Sequence, residues 1–143
     1  MTNPTYLSGI LQVQAYRVLQ TNVSQEVKKY GLNPTQWFIL GQIKSQKKVR
    51  AADIAALLKV EAPLITSLTD DLVAMGLIKK TADLTDKRVK LLQLTNKGDN
   101  LITELEKKLE TKLELLLSGV KPSELKSYHK VLESIIKNGN LAD

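Results

Sequence analysis

Residues 77–98 limit what this chain can fold into more than any other stretch does. They read Leu77-Ile78-Lys79-Lys80-Thr81-Ala82-Asp83-Leu84-Thr85-Asp86-Lys87-Arg88-Val89-Lys90-Leu91-Leu92-Gln93-Leu94-Thr95-Asn96-Lys97-Gly98. Two short runs, Leu77 to Thr81 and Val89 to Leu94, are rich in aliphatic and long side chains and flank the turn formers Asp83, Thr85 and Asp86. That pattern predicts a β-hairpin. The sequence on either side is helical in period. An isolated hairpin is at best marginal in water, so this one has to lean on helices. Lys79, Lys80, Lys87, Arg88 and Lys90 crowd at or beside its tip. The expected fold class is mostly α with a small β-hairpin.

The periodic segments predict six helices. The first covers about Thr5 to Tyr30, with Leu7, Ile10, Leu11, Val18, Leu19, Val23 and Val27 at helical spacing and Gly31 as its stop. The second opens on a strong signal: Asn33 as N-cap, Pro34 at the first helical position and Gln36 placed for a capping box. Trp37, Phe38, Ile39, Leu40 and Ile43 make it nearly apolar throughout, so it is expected to be buried. The third, about Ala51 to Leu58, is small and poorly capped, because Arg50 stands where Ser or Thr would serve better. The fourth runs from about Ala62 to Met75 and ends at Gly76. Ile65, Leu68 and Leu72 form its inward stripe, while Ala62, Pro63, Thr66, Ser67 and Asp70 share the opposite face.

Two short helices joined by the tight Lys59-Val60-Glu61 connection form a helix-turn-helix, and the basic hairpin follows at once. The unit is therefore read as a winged helix-turn-helix. A fifth helix runs from Thr95 to about Ser118, and a sixth starts near Pro122. With the first helix they carry more apolar surface than one chain needs, which predicts a dimer module; the alternative is a helical cap on a single monomer. The organisation expected is 1–33 as an N-terminal dimerisation helix, 34–95 as the winged helix-turn-helix and 96–143 as C-terminal dimerisation helices.

Charge bears on partners. The chain of 143 residues has a net charge of +6, but its distribution says more. Residues 79–90 are net +3 and residues 44–59 net +4, whereas 99–117 are net −2. Positive charge gathered in the middle of the chain suits a polyanion-binding surface; the plainer alternative is a generic solvated lysine surface. There is no Cys and a single His, His129, which excludes thiolate zinc sites and thiol redox chemistry and leaves little for a His-based site. With no Gly-rich phosphate loop and no clustered carboxylates, nothing is present to build an enzyme site. No cofactor or metal is expected. The first residues lack the features of a signal peptide and no apolar run suits a membrane, so a cytoplasmic protein with no membrane partner is expected.

Asp86-x-Arg88-x-x-x-Leu92-x-Leu94-Thr95-x-x-Gly98 resembles the wing signature of the MarR (multiple antibiotic resistance regulator) family. Leu32 to Leu40 resembles that family's second-helix opening, Asp53-Ile54-Ala55 its third helix, and Leu72 through Gly76-Leu77-Ile78 the end of its recognition helix. The resemblance implies a homodimeric, DNA-binding transcriptional regulator, often a repressor released by a small ligand.

On this reading the fourth helix enters the major groove. Its candidate contacts are Ala62, Pro63, Thr66, Ser67 and Asp70. An arginine at a hairpin tip suits a narrow minor groove, so the wing contacts are Asp86, Lys87, Arg88 and Lys90, with Asp86 bracing Arg88. Arg50, Lys79 and Lys80 are assigned to phosphates. The chain departs from the family where many members carry Arg, at Ser67, and where another basic residue is common, at Asp71. Residues 61–78 carry three acids and no base, so modest base readout and an AT-rich palindrome are expected. In the family an effector pocket lies between the dimer helices and the winged domain; Tyr16, Arg17, Tyr30 and Trp37 are the candidates here, with core and interface aromatics the preferred alternative. A second reading stays open: a winged-helix dimer turned protein-interaction module, favoured only by the acidic fourth helix.

Overall fold

Local signals set most of the element boundaries. The computed structural model describes residues 4–140, in the order α1 (Pro4–Lys28), α2 (Pro34–Gln46), β1 (Val49–Arg50), α3 (Ala51–Leu58), α4 (Ala62–Ala74), β2 (Ile78–Ala82), β3 (Lys90–Leu94), α5 (Asn96–Leu116) and α6 (Pro122–Asn140). The capping box of α2 is formed: the Gln36 amide donates to Asn33 Oδ1 at 2.8 Å, and Gln36 Oε1 accepts from the Asn33 amide at 3.1 Å. The start of α3 has no side-chain cap, as Arg50 foretold. No described helix is long and apolar enough to cross a membrane.

The hairpin acquires a third strand that periodicity did not foretell. The sheet order is β1-β3-β2, antiparallel throughout, with Val49 opposite Leu92 and Ile78 opposite Leu94. Val49, Ile78 and Leu92 are buried on the sheet's inner side. They join Ile39, Leu40 and Ile43 of α2, Ile54 of α3, Ile65 and Leu72 of α4, and Ile102 and Leu105 of α5 in one core. Each large aliphatic side chain so buried contributes about 1.5–3 kcal/mol. The hairpin thus stands because its inner side joins the core that α2, α3, α4 and α5 share.

Two details of helix orientation differ from expectation. Helix α2 is not buried all round: Phe38 is 44% exposed, because residues 39, 40 and 43 claim the inward stripe. On α4, Thr69 is fully buried and Leu68 only partly so. Thr69 tolerates burial because its hydroxyl donates to the Ile65 carbonyl at 2.8 Å.

Packing divides the chain into two compact units, 1–110 and 111–143. The core lies in the first. In the second, α6 buries no residue, and Tyr128, Val131, Ile135 and Ile136 are 44–63% exposed. On α1, Leu7, Ile10, Leu11, Val13, Val18 and Leu19 are likewise exposed.

Candidate nucleic-acid interface

The helix-turn-helix is made by one left-handed residue. Lys59 adopts φ 52°, ψ 46°, turning the chain between α3 and α4, and the Val60 amide donates back to the Ala55 carbonyl at 3.1 Å. Helix α4 then begins at Ala62 with Pro63 in its first turn. Ala62, Pro63, Thr66, Ser67, Asp70 and Asp71 line one shallow depression on its exposed side. The face expected from spacing is therefore one surface. Its donors are few: Thr66 Oγ1 donates inward to the Ala62 carbonyl at 3.1 Å, while Ser67 is exposed. Asp70 accepts from Lys80 Nζ at 2.5 Å. Lys80, assigned to a phosphate from sequence, is thus tied to α4, with its side chain only 24% exposed.

At the other end of the hairpin two aspartates fold the tip. Asp83 Oδ1 accepts from the Thr85 amide at 3.0 Å and from Thr85 Oγ1 at 3.1 Å. Asp86 Oδ1 accepts from the Arg88 amide at 3.0 Å and Nε at 3.1 Å, and Oδ2 accepts from Nη2 at 3.3 Å. Backbone bonds from Asp83 to Val89 and from Val89 to Asp86, both 3.0 Å, close the loop. Both carboxyls sit below the ordinary aspartate range. The Thr85 amide and hydroxyl are the main cause at Asp83, and the Arg88 side chain followed by its amide is the main cause at Asp86. Arg50 Nη2 approaches Asp83 Oδ2 at 3.9 Å, so the residue before α3 also steadies the wing. Arg88, held by Asp86 at its amide and along one edge of its guanidinium, keeps its side chain 92% exposed. Lys79, Lys87 and Lys90 are exposed.

The base of the hairpin is joined to α5 by residues of the signature itself. Thr95 Oγ1 donates to the Gly76 carbonyl at 2.6 Å and accepts from the Gly98 amide at 3.1 Å, the N-cap bond. Lys97 Nζ donates to the Met75 carbonyl at 2.8 Å. A β-carbon on Gly98 would stand 1.9 Å from the Leu77 carbonyl oxygen. Thr95-x-x-Gly98 is therefore a joint between helix and strand, legible in sequence only as a cap.

The four candidate effector residues have separate partners. Tyr16 OH accepts from Gln20 Nε2 at 2.7 Å on its own helix, and Arg17 is exposed. Trp37 packs against the core. Tyr30 OH donates to Glu104 Oε1 at 3.0 Å and accepts from the Lys108 ammonium, which also lies 5.0 Å from the centre of its ring. That contact first, and Glu104 second, raises the Lys108 pKa, while Lys108 and then Tyr30 lower that of Glu104.

A helix-turn-helix followed directly by a hydrogen-bonded basic hairpin defines the winged helix-turn-helix class. Residues 32–90, from the approach to α2 through the start of β3, match the MarR family. Over 90 residues the chain is 31% identical to the HTH-type transcriptional repressor MdtR of Bacillus subtilis, covering 62% of this chain and 58% of that relative's length, under two thirds of it. Two crystal structures share its fold over 94% of the chain. One is a mutant MarR from E. coli complexed with operator DNA, with TM-score 0.79, 18% identity and 97% of that chain covered. The other is CouR from Rhodococcus jostii RHA1 bound to p-coumaroyl-CoA, with TM-score 0.83, 21% identity and 95% covered.

Proposed function

We propose that this chain is a DNA-binding transcriptional regulator, acting in the cytoplasm as a homodimeric repressor on a palindromic operator. The observation that carries the reading is the wing tip, where Asp86 holds the Arg88 amide and one edge of its guanidinium through three bonds while the side chain stays 92% exposed. A cation so fixed suits the negative potential of a narrow minor groove. Helix α4 lies across the major groove in this reading, offering Ser67 and the apolar Ala62 and Pro63 to base edges. Arg50 and Lys79 meet phosphates, and Lys80 joins them only by leaving Asp70. The names of MdtR, a repressor, and of the operator-bound MarR support this reading.

Dimerisation is supported by the exposed apolar faces of α1 and α6 and would set half-sites about one helical turn apart. The ligand held by CouR supports a small-molecule effector. Tyr16, Arg17, Tyr30 and Trp37 remain the candidates for its pocket, with core and interface aromatics the preferred alternative and Tyr30 the member tied to α5.

Fluorescence anisotropy with duplex from upstream of the chain's own gene tests the function. Binding that weakens steeply between about 50 and 200 mM salt is expected. Salt-insensitive or absent binding would overturn it in favour of the protein-interaction reading, and a monomer by sedimentation at micromolar concentration would remove the palindrome.

A further inference from the structure

The wing tip displays one apolar residue whose exposure the fold enforces. Leu84 is 100% exposed. A leucine on a slack loop folds back onto its neighbours, but this loop has no slack. Asp83 is held by Thr85, by Arg50 and by the Val89 carbonyl, while Asp86 is held by Arg88. The side chains on either side of Leu84 are bonded to each other, so neither covers it. Displaying it this way leaves no loop-ordering cost to be met on binding.

Its surroundings select the partner. Leu84 shares the tip with Lys87 and Arg88, which draw a polyanion. Among polyanions, the minor groove of duplex DNA offers deoxyribose walls and base steps between which apolar side chains wedge, partly unstacking them. We infer that Leu84 is a specificity-determining residue of the wing: it enters the minor groove beside Arg88 as an apolar wedge and favours operators with a deformable pyrimidine–purine step where the wing lands. This rests on the DNA-binding reading above. It adds a contact that reads deformability where Arg88 reads potential. It also supplies discrimination that α4, poor in donors, does not.

The test uses the full chain and an upstream duplex with 2-aminopurine placed at the steps the wing protects in a hydroxyl-radical footprint. Wild type should raise aminopurine fluorescence on binding. Leu84→Ser should bind about tenfold more weakly and lose that rise, with the salt slope unchanged because no ion pair is removed. Leu84→Met should retain most of both. The thermal midpoint of Leu84→Ser should match wild type, since the side chain packs on nothing in the fold. Replacing the TA or CA step by AA should erase the difference between wild type and Leu84→Ser. A Leu84→Ser protein that binds within about twofold of wild type, or keeps the fluorescence rise, overturns the wedge. If Arg88→Ala loses affinity while Leu84→Ser does not, the wedge alone fails. If wild type binds no duplex at all, the DNA reading fails and takes the wedge with it.

Discussion

In the DNA-binding reading the wing tip and the exposed face of α4 meet the same duplex, yet they are built in opposite ways. At the tip, acids serve the loop: Asp83 holds Thr85, and Asp86 holds the Arg88 amide and one edge of its guanidinium, leaving the cationic side chains exposed. On α4 the polarity is reversed. Asp70 and Asp71 lie on the outer face, Thr66 turns its hydroxyl back to its own helix, and the cation nearest Asp70 is borrowed from the hairpin. In the DNA-binding reading, affinity and specificity are thereby separated. A charged, preorganised tip supplies attraction at little entropic cost, while a helix of short hydroxyls and apolar groups discriminates weakly between bases.

Four changes would break or sharpen that contrast. Arg88→Ala removes the tip's exposed guanidinium and should weaken operator binding about 10- to 100-fold, with the salt slope falling by about one ion. A salt titration by anisotropy measures both, and unchanged affinity would move the burden back to α4. Gly98→Ala leaves every DNA-facing group in place but drives a methyl into the Leu77 carbonyl. It should cost about 1–3 kcal/mol of stability by denaturant unfolding. Stability equal to wild type would show that α5 can shift at its start. Ser67→Arg gives α4 the bidentate donor it lacks and should tighten binding by about tenfold or less, with a new preference for guanine in a selection experiment. No guanine preference would mean that this face does not approach base edges.

The last effect is the smallest. Asp86 has a lowered pKa in the fold, so its brace contributes above the unfolded value and is lost as pH falls through the folded one. NMR titration should place its midpoint below the ordinary 3.8, and Arg88→Ala should move it upward. An unchanged midpoint in that variant would assign the brace to the loop rather than to Arg88.

What was legible in the sequence follows from distance along the chain. The capping box of Asn33 and Gln36, the turn at Asp83 and Thr85, and the Asp86–Arg88 brace each join residues two or three positions apart, and residue chemistry reveals such pairs directly. Strand β1 has two residues and no period of its own; it exists because β3 pairs with it across some forty positions. Lys80 with Asp70 and Arg50 with Asp83 likewise join separate elements, and no local pattern in the sequence marks either pair. Helical period located the apolar stripe of α2 but not its width, hence Phe38 outside. Spacing put Thr66, Ser67 and Asp70 on one face, as found.

The joint at Thr95 to Gly98 has a mechanical meaning. Hydrogen bonds from the first turn of α5 reach the carbonyls of Met75 and Gly76 at the end of α4, and the backbone of Leu77 at the root of the hairpin fills the space where a β-carbon would stand. The end of α4, the root of the hairpin and the start of α5 are joined as one body. A twist delivered along α5 is therefore expected to swing the two together, like a hand turned at the wrist, rather than to bend one away from the other.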